Sequence, residues 1–177
     1  MTTFLNRVTG AALLNSAIYE EVEADRTASI QAMAVVALSS LAAGVGALGL
    51  ARVRITALAG ISLLAFAVWV IWAVMTLQIG ARIFPSSRTQ ADIGQLLRTI
   101  GFASAPGILR FAGIIPGTTR VVFAITAIWM LMAMIVAIRQ ALDYTSTARA
   151  FAVCALGWAL SFGFAFGVGL FWSPPLH

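Results

Sequence analysis

The chain has 177 residues, of which 61% are hydrophobic and 10% charged, with a mean hydropathy of +0.98 and a formal net charge of +5. This balance excludes an ordinary soluble domain, and the eleven arginines lie singly or in pairs rather than in one patch, which argues against nucleic-acid binding. Cys154 is the only cysteine and His177 the only histidine, so we expect no disulfide framework, no metal site, no cofactor and no enzymatic activity.

Residues 1–26 form an N-terminal arm that precedes the apolar segments. Phe4, Leu5, Val8 and Ala12 share one helical face, with Asn15 beside them, which predicts a short amphipathic helix. Such a helix either lies in the membrane interface or packs onto a helix bundle. The polar and acidic composition of the arm is unlike a cleaved signal peptide.

The end of the arm is strongly acidic. The segment Tyr19–Ser29, YEEVEADRTAS, contains four of the six acidic residues of the chain. Glu20 and Glu23 are about one helical turn apart, and so are Glu21 and Asp25, which predicts two acidic stripes on adjacent faces. This segment is either a solvated face or a cluster that pairs with arginines of other loops or holds a divalent cation.

Four long segments are apolar and uncharged, as a membrane-spanning helix requires. They cover about residues 28–50, 56–81, 121–138 and 150–172. Trp69, Trp72, Trp129 and Trp158 lie inside these segments rather than at their ends, a position typical of core packing.

Small residues recur four positions apart in the first and last of these segments. The pairs are Ser40 with Gly44, Ala42 with Gly46, and Gly163 with Gly167. This spacing allows helix backbones to approach closely, and it fits either packing within a bundle or a homodimer face.

The segment between the second and third long apolar stretches begins with a helix signal. Thr89 followed by Asp92 resembles an N-cap with an acidic third position. The apolar residues that follow recur at i, i+3, i+4 and i+7, namely Ile93, Leu96, Leu97 and Ile100, which predicts an amphipathic helix.

A short apolar run follows, and Pro106 and Gly107 interrupt it before Arg110. Proline removes a backbone hydrogen bond, and irregular backbone is not tolerated in contact with lipid. Residues 99–115 are therefore either a short, protein-surrounded span or a re-entrant hairpin. In both arrangements the arginines divide seven to four between the two sides, and the richer side, which includes the N-terminus, is predicted to be cytoplasmic.

Three stretches together resemble the bacterial branch of the Yip family of membrane proteins, named for Ypt/Rab-interacting protein. They are AALLNSAIYEEVEADRTASIQA, DIGQLLRTIGFASAPGILRFAGIIPG and WMLMAMIVAIRQALDYTSTARAFAV, and they cover roughly half of the chain. The resemblance implies an all-α membrane domain over residues 27–177, with five transmembrane helices and a C-terminus outside the cytoplasm. The third of these spans, residues 99–115, is short and interrupted by proline.

The resemblance also implies a polar cluster or partner site at one end of the bundle. Its candidate residues are Tyr19, Glu20, Glu21, Glu23, Asp25, Arg98, Pro106, Gly107, Arg139, Asp143, Tyr144, Thr145 and Arg149. These charges either form a structural ion-pair network or bind a protein, a lipid headgroup or an ion. We expect the acidic arm to dock on Arg98, Arg139 and Arg149.

The functional expectation is a non-enzymatic scaffold, adaptor or accessory subunit in the cytoplasmic membrane of a bacterium. Its partners are the lipid bilayer and other membrane proteins or a second copy of the chain. Rab-type GTPase binding, known for eukaryotic members, is not carried over, because this chain lacks their long polar N-terminal region. The alternative is a small transporter or channel that uses the broken helix at Pro106–Gly107.

Overall fold

The computed structural model describes residues 3–50, 55–82 and 93–172, with side chains for all of these except 57, 77, 80–82 and 161–172. Throughout these ranges the regular secondary structure is helical, without strands. The α-helices are α1 (Phe4–Ala12), α2 (Ser16–Ala24), α3 (Ala28–Ala47), α4 (Leu58–Arg82), α5 (Ile93–Ala103), α6 (Thr119–Ala141) and α7 (Thr147–Trp172). A short 3-10 turn, Ile55–Ala57, precedes α4, and a long 3-10 helix, Ala105–Ile114, follows α5. The expected N-cap at Thr89 and Asp92 lies outside the described residues.

Three described helices are long and apolar enough to cross a membrane: Ala28–Ala47, Leu58–Thr76 and Thr119–Ala141. At 1.5 Å per residue, the 20 residues of α3 cover about 30 Å, the thickness of the hydrocarbon layer. Large apolar side chains on the outer faces are exposed, among them Ile30, Leu63 and Ile128. Outer faces of this kind suit contact with lipid rather than water, so the helices indicate a membrane protein.

The arm folds as a pair of short helices. The Thr3 hydroxyl accepts a 3.4 Å hydrogen bond from the amide of Asn6 at the start of α1, and the side chain of Asn15 accepts a 3.1 Å bond from Ala17 at the start of α2. Leu14, between the two helices, has a φ of 62°. Asn15 is the N-cap of α2 and its side chain is exposed. It therefore does not belong to the apolar face of α1.

Helix α1 packs onto the bundle, against α2, α5, the long 3-10 helix and α6. Phe4, Val8 and Ala12 lie against the buried core, whereas Leu5 is 70% exposed. Of the two placements left open for this helix, the structure has the packed one.

The predicted helix at Ile93 and the predicted third segment are consecutive parts of one central element. Helix α5 carries the amphipathic pattern, and the 3-10 helix begins with Pro106 in its first turn. Proline at the start of a helix lacks only an amide that would have no helical partner. The element begins at Ile93, six residues before the boundary expected at 99.

This central element runs alongside α3 from one end of that helix to the other. Gly101 lies against Ala32, Gly107 against Ser39, and Gly113 against Gly46. Helix α6 then starts beside the end of α3, where a Cβ on Gly49 would meet the Thr119 hydroxyl. Because α3 and α6 both pack closely against the central element, most side chains from Leu96 to Gly107 are buried.

The small-residue pairs of the first apolar segment are used within the chain. A Cβ on Gly44 would contact the Ser62 hydroxyl and the Leu58 carbonyl oxygen of α4. A Cβ on Gly46 would collide with the carbonyl oxygen of Arg110 in the 3-10 helix. The packing interpretation of these glycines is therefore confirmed, while the side chains around Gly163 and Gly167 lie outside the described set.

Candidate functional site

A buried arginine organises the arm. Arg7, which is 3% exposed, donates from Nε and Nη2 to Glu21 Oε1 at 3.1 and 2.8 Å. Its Nη2 also donates to Asp25 Oδ2 at 2.7 Å, and its Nη1 donates to Gln31 Oε1 at 3.0 Å. One guanidinium thus joins α1, α2, the turn after α2, and the first part of α3, in the multidentate geometry for which arginine is suited.

The charges of this cluster support each other. Burial disfavours the charged form of Arg7, but the hydrogen bonds to Glu21 and Asp25 raise its pKa above the ordinary value. The Thr27 side chain and Arg7, followed by the Thr27 amide, lower the pKa of Asp25 to about 2. The Asp25 Oδ1 accepts from the Thr27 amide at 2.9 Å and from the Thr27 hydroxyl at 2.6 Å, so this carboxylate also shapes the turn into α3.

A second buried arginine attaches α5 to the end of α2. Arg98 is 5% exposed, and its Nε donates to the carbonyl oxygen of Val22 at 3.1 Å. Its Nη2 donates to the carbonyl oxygen of Glu23. These carbonyls belong to the last turn of α2, where helical partners are missing and a cation is favoured by the helix dipole.

The second acidic stripe faces the end of α6. Gln140 donates from Nε2 to Glu20 Oε1 at 2.8 Å. Burial raises the pKa of Glu23, and the negative charges of Asp143 and Glu20 add to this effect, while Arg98 opposes it. Glu21 and Asp25 therefore face α1, and Glu20 and Glu23 face the end of α6. Helix α2 ends at Ala24 and Asp25 is its extended C-cap, so the predicted helical stripe of Glu21 and Asp25 does not form, although both carboxylates bind Arg7.

The expected pairing of arm carboxylates with Arg98, Arg139 and Arg149 was wrong, since Arg98 binds backbone carbonyls and the other two have no carboxylate partner in the described ranges. Arg139 and Arg149 are both exposed. Arg139 and Asp143 are four positions apart and would face each other if the helix continued, but α6 ends at Ala141 and Asp143 has a φ of 49°. The chain reverses there, so the i, i+4 geometry is lost.

The other candidates divide between the loop after α6 and the interior. Tyr144 is 4% exposed and burial raises its pKa, with Arg149 opposing the shift, whereas Thr145 is exposed. Pro106 and Gly107 are buried in the first turn of the 3-10 helix, halfway along α3, where a Cβ on Gly107 would meet the Ser39 hydroxyl and the Met130 sulfur. The structure therefore separates Pro106 and Gly107 from the polar cluster.

Aromatic side chains hold the end of α1. The Tyr19 hydroxyl donates to the carbonyl oxygen of Ala11 at 3.0 Å, and Trp129 Nε1 of α6 donates to the carbonyl oxygen of Ala12 at 2.7 Å. Tyr19 is fully buried, and burial raises its pKa. Tyr19 is thus a structural member of the site, because it satisfies a helix-end carbonyl.

Four contributors were missed by sequence reasoning: Arg7, Gln31, Gln140 and Trp129. Only Arg7 carried a usable signal, as one of the two arginines within the arm and the one that precedes its four carboxylates. Trp129 and Gln140 lie more than 100 positions from their partners, and no local periodicity reveals such a pairing.

The arrangement is suited to holding helices together and to presenting charge at one end of the bundle. Within the described ranges, no group of three or more His, Cys, Asp and Glu side chains is placed to hold a metal ion. The chain matches no protein-family model, no curated protein and no solved structure.

Proposed function

We propose that the chain is a non-enzymatic membrane scaffold, adaptor or accessory subunit that presents a rigid charged surface to another membrane protein. The observation that carries the proposal is the docked arm. In it, Arg7 and Arg98 form hydrogen bonds within the chain, so they are not presented to a partner. Four of the charged side chains that stay exposed around the same end form what we call the end face: Glu20, Arg139, Asp143 and Arg149.

Rigidity matters for this role because ordering a flexible surface on binding costs free energy. Gln140 holds Glu20 at 2.8 Å, and the Tyr144 amide donates to the Arg139 carbonyl at 2.9 Å. The end face is thus attached to structured backbone on both α2 and α6. Interfaces of mixed charge of this kind provide orientation and specificity more than raw affinity.

A five-span topology is part of the proposal, with the N-terminus in the cytoplasm of a bacterium and the C-terminus outside. Its support is the course of the central element, which follows α3 from Ala32 to Gly46 rather than turning back. The 11 residues of α5 and the 10 of the 3-10 helix extend about 16 and 20 Å, and together they match the bilayer. The arginine asymmetry supports the orientation.

Cysteine accessibility in intact cells tests the topology. In a Cys154→Ser background, a cysteine replacing the exposed Pro116 is expected to react with a membrane-impermeant thiol reagent added outside. A cysteine replacing the exposed Thr145 is expected to react only after the cells are opened. Labelling of the cysteine at position 145 from outside, with the cysteine at position 116 protected until the cells are opened, would establish the re-entrant alternative.

Membership of the bacterial branch of the Yip family is likewise proposed. It rests on the three sequence stretches, which in this fold supply the arm, the central element, and the end of α6 with the start of α7. The elements that these stretches form are those that make the polar cluster.

Copurification from detergent tests the scaffold role. The parent chain is expected to retain a stoichiometric membrane-protein partner, and Arg139→Ala combined with Arg149→Ala is expected to release it. Arg120→Ala is the matched control, since Arg120 is exposed near the start of α6, at the other end of the bundle. A partner that stays bound to the double variant, or that is lost equally from the control, would contradict the proposal.

The alternative remains a small transporter or channel at Pro106–Gly107. Discontinuous helices serve transport by exposing backbone carbonyls to a cavity. Here both residues are buried, and protein atoms of Ser39 and Met130 fill the space beside Gly107. This packing favours the scaffold over a substrate path at that position.

A further inference from the structure

A cavity of about 270 Å³ lies between α4, α6, α7 and the long 3-10 helix. Its walls are mainly aromatic and thioether side chains, and a single charged residue lines it. The residues that matter here are Trp69, Trp72, Arg110, Met130, Met134 and Trp158. Because Met130 lies halfway along α6 and Trp158 nearly halfway along α7, the cavity lies near the middle of the length of these helices.

Arg110 brings a positive charge to this cavity. Its Nε donates to the Thr126 hydroxyl at 3.3 Å, and its guanidinium carbon lies 5.3 Å from the centre of the Phe123 ring. None of the carboxylates that the structure describes forms an ion pair with it. An arginine at membrane depth is costly without a counter-charge, and it is by default a functional residue.

Two tryptophans that line the cavity also carry unused donors. Trp69 Nε1 and Trp72 Nε1 are both buried, and neither has an acceptor among the described groups. Trp72 is 5% exposed. A buried donor without an acceptor normally costs about 1–3 kcal/mol, so native proteins usually satisfy such groups or use them to hold a ligand.

We propose that this cavity binds a membrane amphiphile whose head is an oxyanion, a carboxylate or a phosphate. The guanidinium of Arg110 binds the head, with the indole N–H group of Trp69 as a further donor. The apolar part of the amphiphile packs along Met130, Met134 and Trp158. This goes beyond the scaffold role, because it assigns a ligand to the interior of the bundle rather than a partner to its end face.

The chemistry of the lining selects this class of ligand. Aromatic walls alone would also suit a cation, but a cationic ligand would meet the charge of Arg110 at close range. A neutral apolar ligand would leave Arg110 without a counter-charge. An oxyanion supplies this counter-charge and an acceptor for the Trp69 indole, and charge-assisted bonds to arginine are among the stronger hydrogen bonds in proteins.

Quenching of tryptophan fluorescence by brominated acyl chains tests the proposal in the purified, detergent-solubilised chain. The anionic probes are 9,10-dibromostearate and a brominated phosphatidylglycerol. The matched probes without an anionic group are dibromostearyl alcohol and a brominated diacylglycerol. We expect saturable quenching by at least one anionic probe, with about tenfold or greater preference over its matched partner. Which anionic probe binds identifies the source as a fatty acid or a phospholipid.

Two variants locate the site. Arg110→Gln is expected to abolish the preference for the anionic probe, whereas the exposed Arg120→Gln is expected to keep it. Ala127→Leu, which places a larger side chain into the cavity wall but leaves Arg110 in place, is expected to reduce saturable quenching. This variant and the probe comparison decide the matter if Arg110→Gln fails to fold. Equal quenching by charged and uncharged probes, or equal loss in the Arg120 variant, would overturn the proposal.

Discussion

The guanidinium of Arg98 donates to the carbonyl oxygen of Val22 across 3.1 Å, which joins two positions 76 residues apart. The sequence-based expectation was that carboxylates of the arm would receive this arginine. The backbone receives it instead, at the end of α2, and the neighbouring carbonyl of Glu23 receives its second donor. Docking of the arm therefore depends on helix-end carbonyls as much as on ion pairs.

Replacement of Arg98 should be strongly destabilising. Arg98→Ala removes two charge-assisted hydrogen bonds and leaves two carbonyls of α2 without a partner. We expect a loss of about 2–4 kcal/mol in the free energy of unfolding in detergent. Arg98→Lys should lose less stability, because the lysine ammonium retains the positive charge but cannot reproduce the two-pronged donor geometry of the guanidinium.

The matched control for this change is Arg139→Ala. Arg139 is exposed on the same side of the bundle, and exposed substitutions usually change stability by about 0.5 kcal/mol or less. If both alanine variants unfold together with the parent chain, Arg98 does not hold the arm.

Two neighbouring carboxylates should respond to pH with opposite signs. The pKa of Asp25 is lowered to about 2 by Thr27 and Arg7, so its stabilising contribution is present above its ordinary pKa and disappears as the pH falls toward 2. The pKa of Glu23 is raised by burial and by Asp143, so ionisation of Glu23 destabilises the fold as the pH rises through its ordinary value.

Melting temperatures measured between pH 3 and pH 7 check these signs, because this range includes the ordinary carboxyl pKa values of about 4. Asp25→Asn should lower the melting temperature at pH 7 and reduce the loss on acidification. Glu23→Gln should raise the melting temperature at pH 7, and its backbone bond to Arg98 is unaffected by the change. A lower melting temperature for Glu23→Gln at pH 7 would show that its carboxylate is paired favourably.

A pair of glycine substitutions should separate close packing from helix propensity. A Cβ at Gly46 would collide with the Arg110 carbonyl oxygen, whereas a Cβ at Gly60 of α4 meets no atom within 4 Å. Gly46→Ala should therefore destabilise the fold by about 1–3 kcal/mol. Gly60→Ala should be neutral or gain up to about 1 kcal/mol, because alanine favours the helix. Thermal unfolding of both variants decides it, and equal effects would exclude close packing at Gly46.

Much of the helical architecture could be predicted from local patterns. Uncharged apolar length located α3, α4 and α6, since a spanning helix must satisfy its own backbone. The period of Ile93, Leu96, Leu97 and Ile100 located α5, and spacing of small residues located the close approach at Gly46. Each of these signals is contained in a window shorter than one helix.

The partners within the site could not be predicted in the same way. The stripe of Glu20 with Glu23 followed from helix geometry, but α2 ends before Asp25, and which cation each carboxylate of the arm faces depends on how α1 packs. The end of α6 is a second example, because continuation of the helix would have paired Arg139 with Asp143. A single residue with positive φ at Asp143 redirects the loop, and no apolar pattern marks it.

Arg110 shows the same limit for a charge in the interior. In the sequence it lies between apolar runs and was counted with the arginines at the ends of spans. Its environment depends on Phe123 and Thr126 of the next helix. A single charged residue within an otherwise apolar stretch is a signal for an interior functional residue, and at this position the nearby Pro106–Gly107 break obscured it.

The carbonyls at the end of α1 provide the last prediction. Ala11 and Ala12 are the final residues of α1, and the Tyr19 hydroxyl and the Trp129 indole each donate to one of their carbonyl oxygens. Tyr19→Phe and Trp129→Phe each remove one of these donors. We expect each change to cost about 1–2 kcal/mol, since a helix-end carbonyl loses a partner.

The two changes together distinguish a shared role from separate ones. Both donors act on the same helix end, so the double variant should detach α1 from α6, and its loss of stability should depart from the sum of the single losses. Proteolysis of the arm, followed alongside thermal unfolding in detergent, should accelerate most in the double variant, because a detached terminal helix is exposed to cleavage. Strict additivity with unchanged proteolysis would mean that Arg7 and Arg98 hold the arm without help from the aromatic donors.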